Sequence, residues 1–213
     1  MFSHNLRSPI AGLKMLFPLY EMEEDPEGKE DIYENIKLGA SEMFEMIEDL
    51  SKILMDYWEL ENPKSEVELK SSFDKSLEKL KPLIPEDAEI SGNFEDCKSI
   101  LYSQKYLDFA FEELIQNSIR YRSPERPLKI VVKSSKLDDK FILSFEDNGQ
   151  GIDIDRHSID LYKMYKTFHN DPTIRTRGLG IFSLKNQIEM MGGKIKIEGE
   201  KDSGFKVTLE LMP

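Results

Sequence analysis

The sequence KFILSFEDNGQGID, residues 140–153, carries an alternating apolar and polar run directly into a turn with two glycines. Such alternation is typical of a β-strand with one buried face. The polar stretch KLDDK, residues 136–140, separates this run from an earlier alternating one, LKIVVKSS at 128–135. Two alternating runs joined by a short polar turn predict an antiparallel β-hairpin.

The rest of the chain after residue 63 mixes strand and helix patterns. Further strands are predicted at VELK (67–70), GGKIKIEGE (192–200) and GFKVTLEL (204–211). Helical patterns cover residues 73–83, 106–121 and 179–191. Strands and helices interleaved in this way predict an α/β sandwich, a mixed sheet with helices on one face, so the expected fold class of the chain is α+β.

The first 60 residues follow a different pattern, because apolar residues recur there at steps of three and four. This spacing predicts an antiparallel helical hairpin, broken at residues 21–31 by proline and glycine. Two helices alone cannot cover apolar stripes this wide, so we expect the hairpin to pair with a second copy in a four-helix bundle. Packing against the rest of its own chain is the alternative. Asn62-Pro63 ends the second helix, which predicts two domains, 1–62 and 63–213.

The bulk composition disfavours several classes of protein. The chain has 213 residues, a net charge of −12 and a pI near 4.9, and this acidity disfavours binding to nucleic acid or anionic membrane. The single cysteine, Cys97, allows no internal disulfide and fits a reducing, cytoplasmic setting. No apolar run approaches the roughly 20 residues that span a bilayer, so no membrane segment is predicted.

The stretch EELIQNSIRYR, residues 112–122, places polar side chains on one face of a predicted helix. Glu113 and Asn117 are four residues apart and Arg120 follows three residues later, so the three project from the same face. The neutral amide oxygen of Asn117 suits a Mg²⁺ ion that already binds phosphate oxygens and waters. An ordinary amphipathic helix with a polar stripe would show the same pattern.

Asp147 and the glycines after it form a second candidate. At the end of a strand, the Asp147 carboxylate is placed to accept a hydrogen bond from the exocyclic amine of adenine. Gly149 and Gly151 allow a sharp turn and a close approach of the backbone to a ligand. A plain turn after a strand is the alternative interpretation.

A third candidate lies at TRGLG, residues 176–180, where Gly178 and Gly180 open a predicted helix. The exposed amides at the start of a helix favour phosphate. The preceding segment, residues 156–177, holds five basic residues and two acidic ones. In so acidic a chain, this excess of basic residues predicts a flexible lid that closes on a polyphosphate.

The order of these motifs resembles the ATP-binding domain of sensor histidine kinases, within the wider superfold of gyrase, chaperone and kinase ATPases. LYKMYKTF, residues 161–168, is similar to the phenylalanine-containing F box of that family, with Tyr162 and Tyr165 at the aromatic positions. The other matching residues are Asn117, Arg120 and Tyr121 for the N box, Asp147, Gly149 and Gly151 for the first glycine box, and Arg177, Gly178, Leu179 and Gly180 for the second.

The opening FSHNLRSP, residues 2–9, resembles the H box of the same family, whose histidine is the phosphoacceptor. The resemblance implies that ATP with Mg²⁺ phosphorylates His4 and that the phosphoryl group passes to an aspartate in the receiver domain of a response regulator. It also implies a homodimer formed through the helical hairpin. An upstream sensor domain is expected outside this chain, and through it the full-length protein could be anchored to a membrane.

Several positions depart from the family pattern. Asn5 stands where a carboxylate commonly orients the imidazole or takes its proton, and Ser8 stands where Thr or Asn often positions a hydrolytic water. Glu113 occupies a position where kinases often have Asn. Thr176 replaces the first glycine of the second glycine box, and in the weakly matched DSGF segment Ser203 is the expected hydroxyl near the base.

These departures leave two other functions open. Hydrolytic relatives in the superfold carry a water-activating glutamate at the position of Glu113, which would make the chain an ATP hydrolase. Asn5 is compatible with a degenerate kinase that serves as a dimerisation or docking scaffold, and Ser8 with one that acts as a phosphatase.

Overall fold

The computed structural model describes the backbone of residues 2–58, 64–137, 140–157, 160–166 and 178–213, and the side chains of those residues except 2–8, 49–50, 52–58, 155 and 157. The chain divides into two compact units, Met1–Glu61 and Asn62–Pro213. Within the described residues, none of the helices combines the length and the apolar character needed to cross a membrane.

The first unit is a hairpin of two helices, α1 (Phe2–Met22) and α2 (Pro26–Trp58). The predicted break at 21–31 is wrong in length, because only residues 23–25 are non-helical. Pro26 is the first residue of α2, where proline loses no helical hydrogen bond. The Asp25 carboxylate accepts a hydrogen bond from the Gly28 N–H at 3.0 Å and so satisfies an amide in the first turn of α2.

One face of this hairpin is apolar and exposed. Leu13 of α1 lies against Gly39 of α2 in the seam between the helices. Beside the seam, the rings of Tyr20 and Tyr33 lie 6.4 Å apart and both remain exposed. The other exposed apolar residues along this flank are Ile10, Phe17, Phe44 and Ile47. The described part of the first unit therefore leaves an apolar stripe uncovered on each helix.

The second unit is built on seven strands, interleaved with helices. The strands are β1 (Ser65–Glu68), β2 (Glu89–Asn93), β3 (Ser99–Tyr102), β4 (Lys129–Leu137), β5 (Lys140–Asp147), β6 (Lys194–Glu200) and β7 (Gly204–Leu211). Five of them form a mixed sheet in the order β2-β4-β5-β7-β6, in which β2 runs parallel to β4 and the other neighbours are antiparallel. The strands β1 and β3 form a separate antiparallel pair.

The helices of the second unit share one hydrophobic core with the sheet. They are α3 (Leu69–Leu80), α4 (Gln104–Arg120), α5 (Ile154–His157) and α6 (Gly180–Met190), and a short 3-10 turn covers Lys81–Leu83. The register aligns Val132, Phe145, Val207 and Ile197 across four strands, and all four side chains are buried. Edge-to-face rings of Phe73, Phe94 and Phe111 extend this core.

The α+β class predicted from the sequence is confirmed, and the bounds of β5 and β7 coincide with the predicted strands. Three elements were not predicted: β2, β3 and α5. In β2, the sequence EISGN contains one apolar residue, and its pairing with β4 depends on contacts distant in sequence. The strand β1 ends at Glu68, two residues before the predicted end at Lys70, because helix α3 starts at Leu69.

Candidate functional site

Asp147 is the last residue of β5 and lies on the helix-covered face of the sheet. In the register it stands beside Ile130 on one neighbouring strand and Phe205 on the other. The Ser118 hydroxyl of α4 donates to Asp147 Oδ2 at 2.7 Å, and the Gly149 N–H donates to Asp147 Oδ1 at 2.8 Å. The site therefore holds a carboxylate with a hydrogen bond to each oxygen, which leaves further lone pairs for a donor group of a ligand.

Opposing effects act on the pKa of the Asp147 carboxyl. Burial raises this pKa above its ordinary value, since the charged form loses hydration. Hydrogen bonds from Ser118 and from the backbone of Gly149 and Phe205 lower it, and the nearby Glu146 raises it slightly. Burial has the largest effect, so the net direction is upward.

The glycine turn after β5 is fixed by backbone contacts. The Gln150 N–H donates to the Tyr121 carbonyl at 2.9 Å, and the Asp202 N–H donates to the Gln150 carbonyl at 2.6 Å. Gly151 has φ +62°, and a Cβ there would overlap the Glu200 carbonyl, so only glycine fits this position. The turn is thus bound both to the end of α4 and to the turn between β6 and β7.

Glu113, Asn117 and Arg120 form a continuous hydrogen-bonded chain along α4. The Asn117 Nδ2 donates to Glu113 Oε1 at 2.9 Å, and Arg120 Nη1 donates to Asn117 Oδ1 at 3.1 Å. Burial raises the pKa of the Glu113 carboxyl, whereas the hydrogen bond from Asn117 and the charge of Arg120 lower it, and burial dominates. The residues predicted to share a helix face are therefore in direct contact.

The start of α6 lies against this chain. A Cβ on Gly180 would overlap the carboxylate of Glu113, so the two helices approach closely at this point only because residue 180 is glycine. Leu179 precedes the helix, and no side chain caps its first turn. Among the described residues, the first amides of α6 are therefore free of a side-chain cap.

The second glycine box also contacts the F-box segment. The Tyr165 N–H donates to the Gly178 carbonyl at 3.1 Å, and a Cβ on Gly178 would overlap the backbone of Lys166. Tyr165 itself is half-buried and has φ +59°. Residues 166 and 178, which flank the central part of the predicted lid, therefore lie side by side.

Several predicted site residues lie outside the described residues, and Ser203 lies in a surface turn. His4, Asn5 and Ser8 belong to α1, but their side chains lie outside the described residues, as do all atoms of Arg177 and Thr176. Ser203 is exposed in the turn between β6 and β7, where its N–H donates to the Glu200 carbonyl at 3.1 Å.

Two residues that shape the site, Ser118 and Arg126, were not predicted from the sequence. Ser118 donates to Asp147, and its place directly after the predicted site residue Asn117 is the sequence feature that could have indicated this contact. Arg126 lies in the loop between α4 and β4 and donates to three backbone carbonyls around the glycine turn, at Asn148, Gly149 and Asp202. No spacing rule marks an arginine in such a loop.

The donor set around Asn117 suits Mg²⁺ bound together with a nucleotide. Asn117 Oδ1 accepts from Arg120 and retains a second lone pair, and the Glu113 carboxylate is adjacent. Mg²⁺ usually takes one or two protein oxygens and fills its other positions with phosphate oxygens and water. Within the described ranges, no group of three His, Cys, Asp or Glu side chains is arranged to hold a metal ion.

The same motifs and geometry occur in a known group of proteins. Residues 103–213, more than half of the chain, match the family of histidine kinase-, DNA gyrase B- and HSP90-like ATPases. The chain belongs to this ATPase family. The matched region contains α4, the glycine turn and the start of α6, which together form the site.

Curated relatives of this ATPase-family chain include sensor proteins. It is 28% identical over 208 residues to the cyanobacterial phytochrome A of Nostoc sp., covering 95% of this chain and 26% of the relative. It is 23% identical over 221 residues to the heme sensor protein HssS of Staphylococcus saprophyticus, covering 99% of this chain and 45% of HssS. The chain thus spans less than half of these relatives.

Solved structures with the same fold are histidine kinases. The Acinetobacter baumannii histidine kinase AdeS matches 98% of this chain and 97% of its own with a TM-score of 0.61 at 17% identity. Full-length ShkA in complex with AMPPNP matches 98% of this chain and 44% of its own with a TM-score of 0.62 at 18% identity. Together with the family match, these results confirm the resemblance to a sensor histidine kinase core.

Proposed function

We propose that this chain is the kinase core of a two-component sensor protein, in which ATP phosphorylates His4 and the phosphoryl group passes to an aspartate of a response regulator. In this proposal residues 1–62 form the dimerisation and phosphotransfer domain and residues 63–213 the catalytic ATP-binding domain. The kinase core is proposed to work in the cytoplasm. The observation that carries the proposal is the half-buried Asp147 carboxylate, hydrogen-bonded to Ser118 and adjacent to the Glu113–Asn117–Arg120 chain.

Adenine binding is supported by the hydrogen bonds of Asp147. Ser118 and Gly149 each donate to one carboxylate oxygen, which fixes the orientation of the group. An ionised carboxylate can only accept hydrogen bonds, so it selects a base that presents an amine, as adenine does at its exocyclic nitrogen. A base with a carbonyl at that position would place its acceptor oxygen against the carboxylate oxygens, which also accept, so no hydrogen bond could form.

Triphosphate binding is supported by the second half of the site. Arg120 supplies positive charge on α4, and the uncapped first turn of α6 supplies backbone amides. In the bound state we expect Asn117 to hold Mg²⁺ through Oδ1, and the ion to neutralise charge on the outer phosphates. The complex of ShkA with AMPPNP shows that a protein of this fold binds an ATP analogue.

The proposed transfer is a substitution at phosphorus. An imidazole nitrogen of His4 attacks the γ-phosphorus, an N–P bond forms, and the bond to the leaving ADP breaks. The ring must also release its N–H proton. Asn5 cannot accept that proton, since a neutral amide is not a base, so we expect either a slow transfer or a different base.

Dimerisation is supported by the apolar flank of the hairpin. Phe17 is 53% exposed, Phe44 is 63% exposed and Ile47 is 49% exposed. Aromatic and aliphatic side chains exposed in a row on two neighbouring helices form the kind of patch that a second hairpin covers in a four-helix bundle. We propose a homodimer through this flank.

Experiment can distinguish the proposed kinase from two alternative functions. The half-buried Glu113, whose raised pKa suits a general base, is the observation that favours an ATP hydrolase. A degenerate scaffold or phosphatase would bind partners without phosphorylating itself.

Radiolabelled ATP tests the proposal. The chain with Mg²⁺ is expected to acquire an acid-labile, alkali-stable label that is lost in His4→Ala. The other two histidines, His157 and His169, provide matched controls, and their alanine variants are expected to keep the label. Label that persists in His4→Ala would contradict the assignment, and steady release of phosphate without any label would favour the hydrolase.

A further inference from the structure

Arg126 uses one side chain to join two separate loops. Its Nε donates to the Asn148 carbonyl at 2.8 Å, and its Nη2 donates to the Gly149 carbonyl at 3.0 Å and to the Asp202 carbonyl at 2.6 Å. Asn148 and Gly149 belong to the glycine turn after β5, and Asp202 belongs to the turn between β6 and β7. The guanidinium is half-buried between them.

Both loops also touch Asp147. The Gly149 N–H donates to Asp147 Oδ1 at 2.8 Å, so the position of the turn fixes the position of the carboxylate. On the other side, a Cβ on Gly204 would overlap the Asp147 carbonyl, so the start of β7 packs directly on the same residue. The two loops that Arg126 joins are therefore the two walls beside the adenine acceptor.

Arginine has the geometry that this junction requires. Three N–H groups on a rigid planar guanidinium point in fixed directions and satisfy three carbonyl oxygens at once. A lysine ammonium on a flexible stem is a point charge without that fixed fork. Without the guanidinium, the three carbonyls would lose the donor that they share. Among the described residues, the direct hydrogen bond left between the two loops would be the one from the Asp202 N–H to the Gln150 carbonyl.

We infer that Arg126 is a positioning residue for nucleotide binding, which holds the glycine turn and the β6–β7 turn together so that the Asp147 carboxylate meets the adenine amine. This inference rests on the proposed ATP site. Arg126 acts through the backbone of Asn148, Gly149 and Asp202 and makes no contact with the Asp147 side chain in the hydrogen bonds of the described residues.

Calorimetric titration of ADP into the full chain and its variants tests the inference. Arg126→Ala is expected to weaken binding roughly tenfold, and Arg126→Lys to restore only part of the loss. Arg122→Ala is the matched control, because Arg122 lies in the same loop, is exposed, and among the described residues donates only to the Ile119 carbonyl of its own helix end. It is expected to bind ADP as the unchanged chain does.

Two further measurements separate positioning from a general loss of stability. Guanidinium ion, added far below concentrations that unfold proteins, is expected to restore ADP binding to Arg126→Ala and to have no such effect on Asp147→Asn. The preference for ADP over GDP is expected to fall in Arg126→Ala, since a displaced carboxylate no longer selects the amine.

Each outcome has a distinct meaning. Equal ADP affinity of Arg126→Ala and the unchanged chain would overturn the inference and leave the ATP site standing. Weaker binding that guanidinium does not restore, with the ADP preference unchanged, would also overturn it, because it would indicate only a loosened fold. Absence of ADP binding by the unchanged chain would instead contradict the proposed function.

Discussion

The hydroxyl of Ser118 donates to the carboxylate of Asp147 across 2.7 Å, and this bond connects the last turn of the site helix α4 to the end of strand β5. In the proposed site, it joins the side expected to bind phosphate, at the neighbouring residue Asn117, to the side expected to bind adenine, at Asp147. Ser118 lies in the same stretch as Asn117, and Asp147 begins the first glycine motif, so the contact brings two separate motifs of the sequence together in the fold.

The first prediction concerns the carboxylate itself. Asp147→Asn replaces an acceptor-only group by one that presents N–H groups as well, and we expect nucleotide affinity to fall about 10- to 100-fold, the loss of about 1.5–3 kcal/mol for a hydrogen bond to a charged group. Calorimetry with ADP measures it. Asp153→Asn is the control, because Asp153 is exposed and, within the described part of the chain, accepts only from the Arg156 N–H, which an amide oxygen also allows. Equal affinity of Asp147→Asn and the unchanged chain would contradict the adenine assignment.

The second prediction is a shift in pH dependence. Burial holds the pKa of Asp147 above its ordinary value, and the Ser118 hydrogen bond lowers it. Removing that bond in Ser118→Ala raises the pKa further. Because protonation turns one of the two acceptor oxygens into an O–H donor, nucleotide binding is lost as pH falls through this pKa, and in Ser118→Ala the loss is expected to begin at higher pH. Affinity measured as a function of pH tests this, and superimposable profiles would argue against the contact.

The third prediction concerns the half-buried carboxyl group of Glu113. Its folded-state pKa is raised by burial, so its contribution to stability is present below the unfolded pKa of a glutamate, about 4.3, and is lost as pH rises through the folded pKa. Glu113→Gln removes that dependence and keeps an acceptor oxygen for Asn117. We expect the variant to be more stable at neutral pH by about 0.5–2 kcal/mol, with the difference shrinking in acid. Thermal unfolding at several pH values measures it, and a difference that grows in acid would be inconsistent with a charged, half-buried Glu113.

The fourth prediction tests the close approach of α4 and α6. Gly180→Ala places a methyl group where the Glu113 carboxylate lies, and we expect a loss of about 1–3 kcal/mol in unfolding free energy. In Glu113→Ala the space is free, so adding Gly180→Ala to that variant is expected to cost little. A double-mutant cycle measures the coupling. Additive effects would mean that the two residues do not meet.

The fifth prediction addresses the hairpin. Phe44→Glu puts a charge on the apolar flank, and we expect it to dissociate the dimer. Met15→Glu is the matched control, because Met15 is equally an exposed apolar residue, at 70% exposure, yet lies about 200° around α1 from Phe17. Light scattering across a concentration series measures the mass. A monomeric unchanged chain, or a dimer that survives Phe44→Glu, would contradict the proposed flank.

The sequence predicted those parts of the fold that depend on local pattern. The alternation of apolar and polar residues predicted both ends of β5 and of β7, because a half-buried strand must alternate. The hairpin turn is shorter than the sequence predicts, because Pro26 and Gly28 lie in the first turn of α2, where proline does not break a helix and where Asp25 caps it. The strand β2 was missed because its stability comes from pairing with β4.

The candidate site likewise has one part that local sequence pattern predicts and another part that depends on tertiary contacts. Asp147 and the glycines follow from a strand that ends in a tight turn, and the Glu113–Asn117–Arg120 chain follows from helical spacing. Ser118 and Arg126 were missed, because their roles depend on which strand and which loops the fold brings beside them. Tertiary contacts of this kind leave no periodic trace in the sequence.

The most direct measurement of the central claim is a crystal structure of the chain with Mg²⁺ and a non-hydrolysable ATP analogue. We predict adenine with its exocyclic amine within hydrogen-bonding distance of Asp147, and Mg²⁺ on Asn117 Oδ1 beside the phosphates. A cleft that stays empty, or that remains filled by the Glu113 side chain at saturating analogue, would contradict the account.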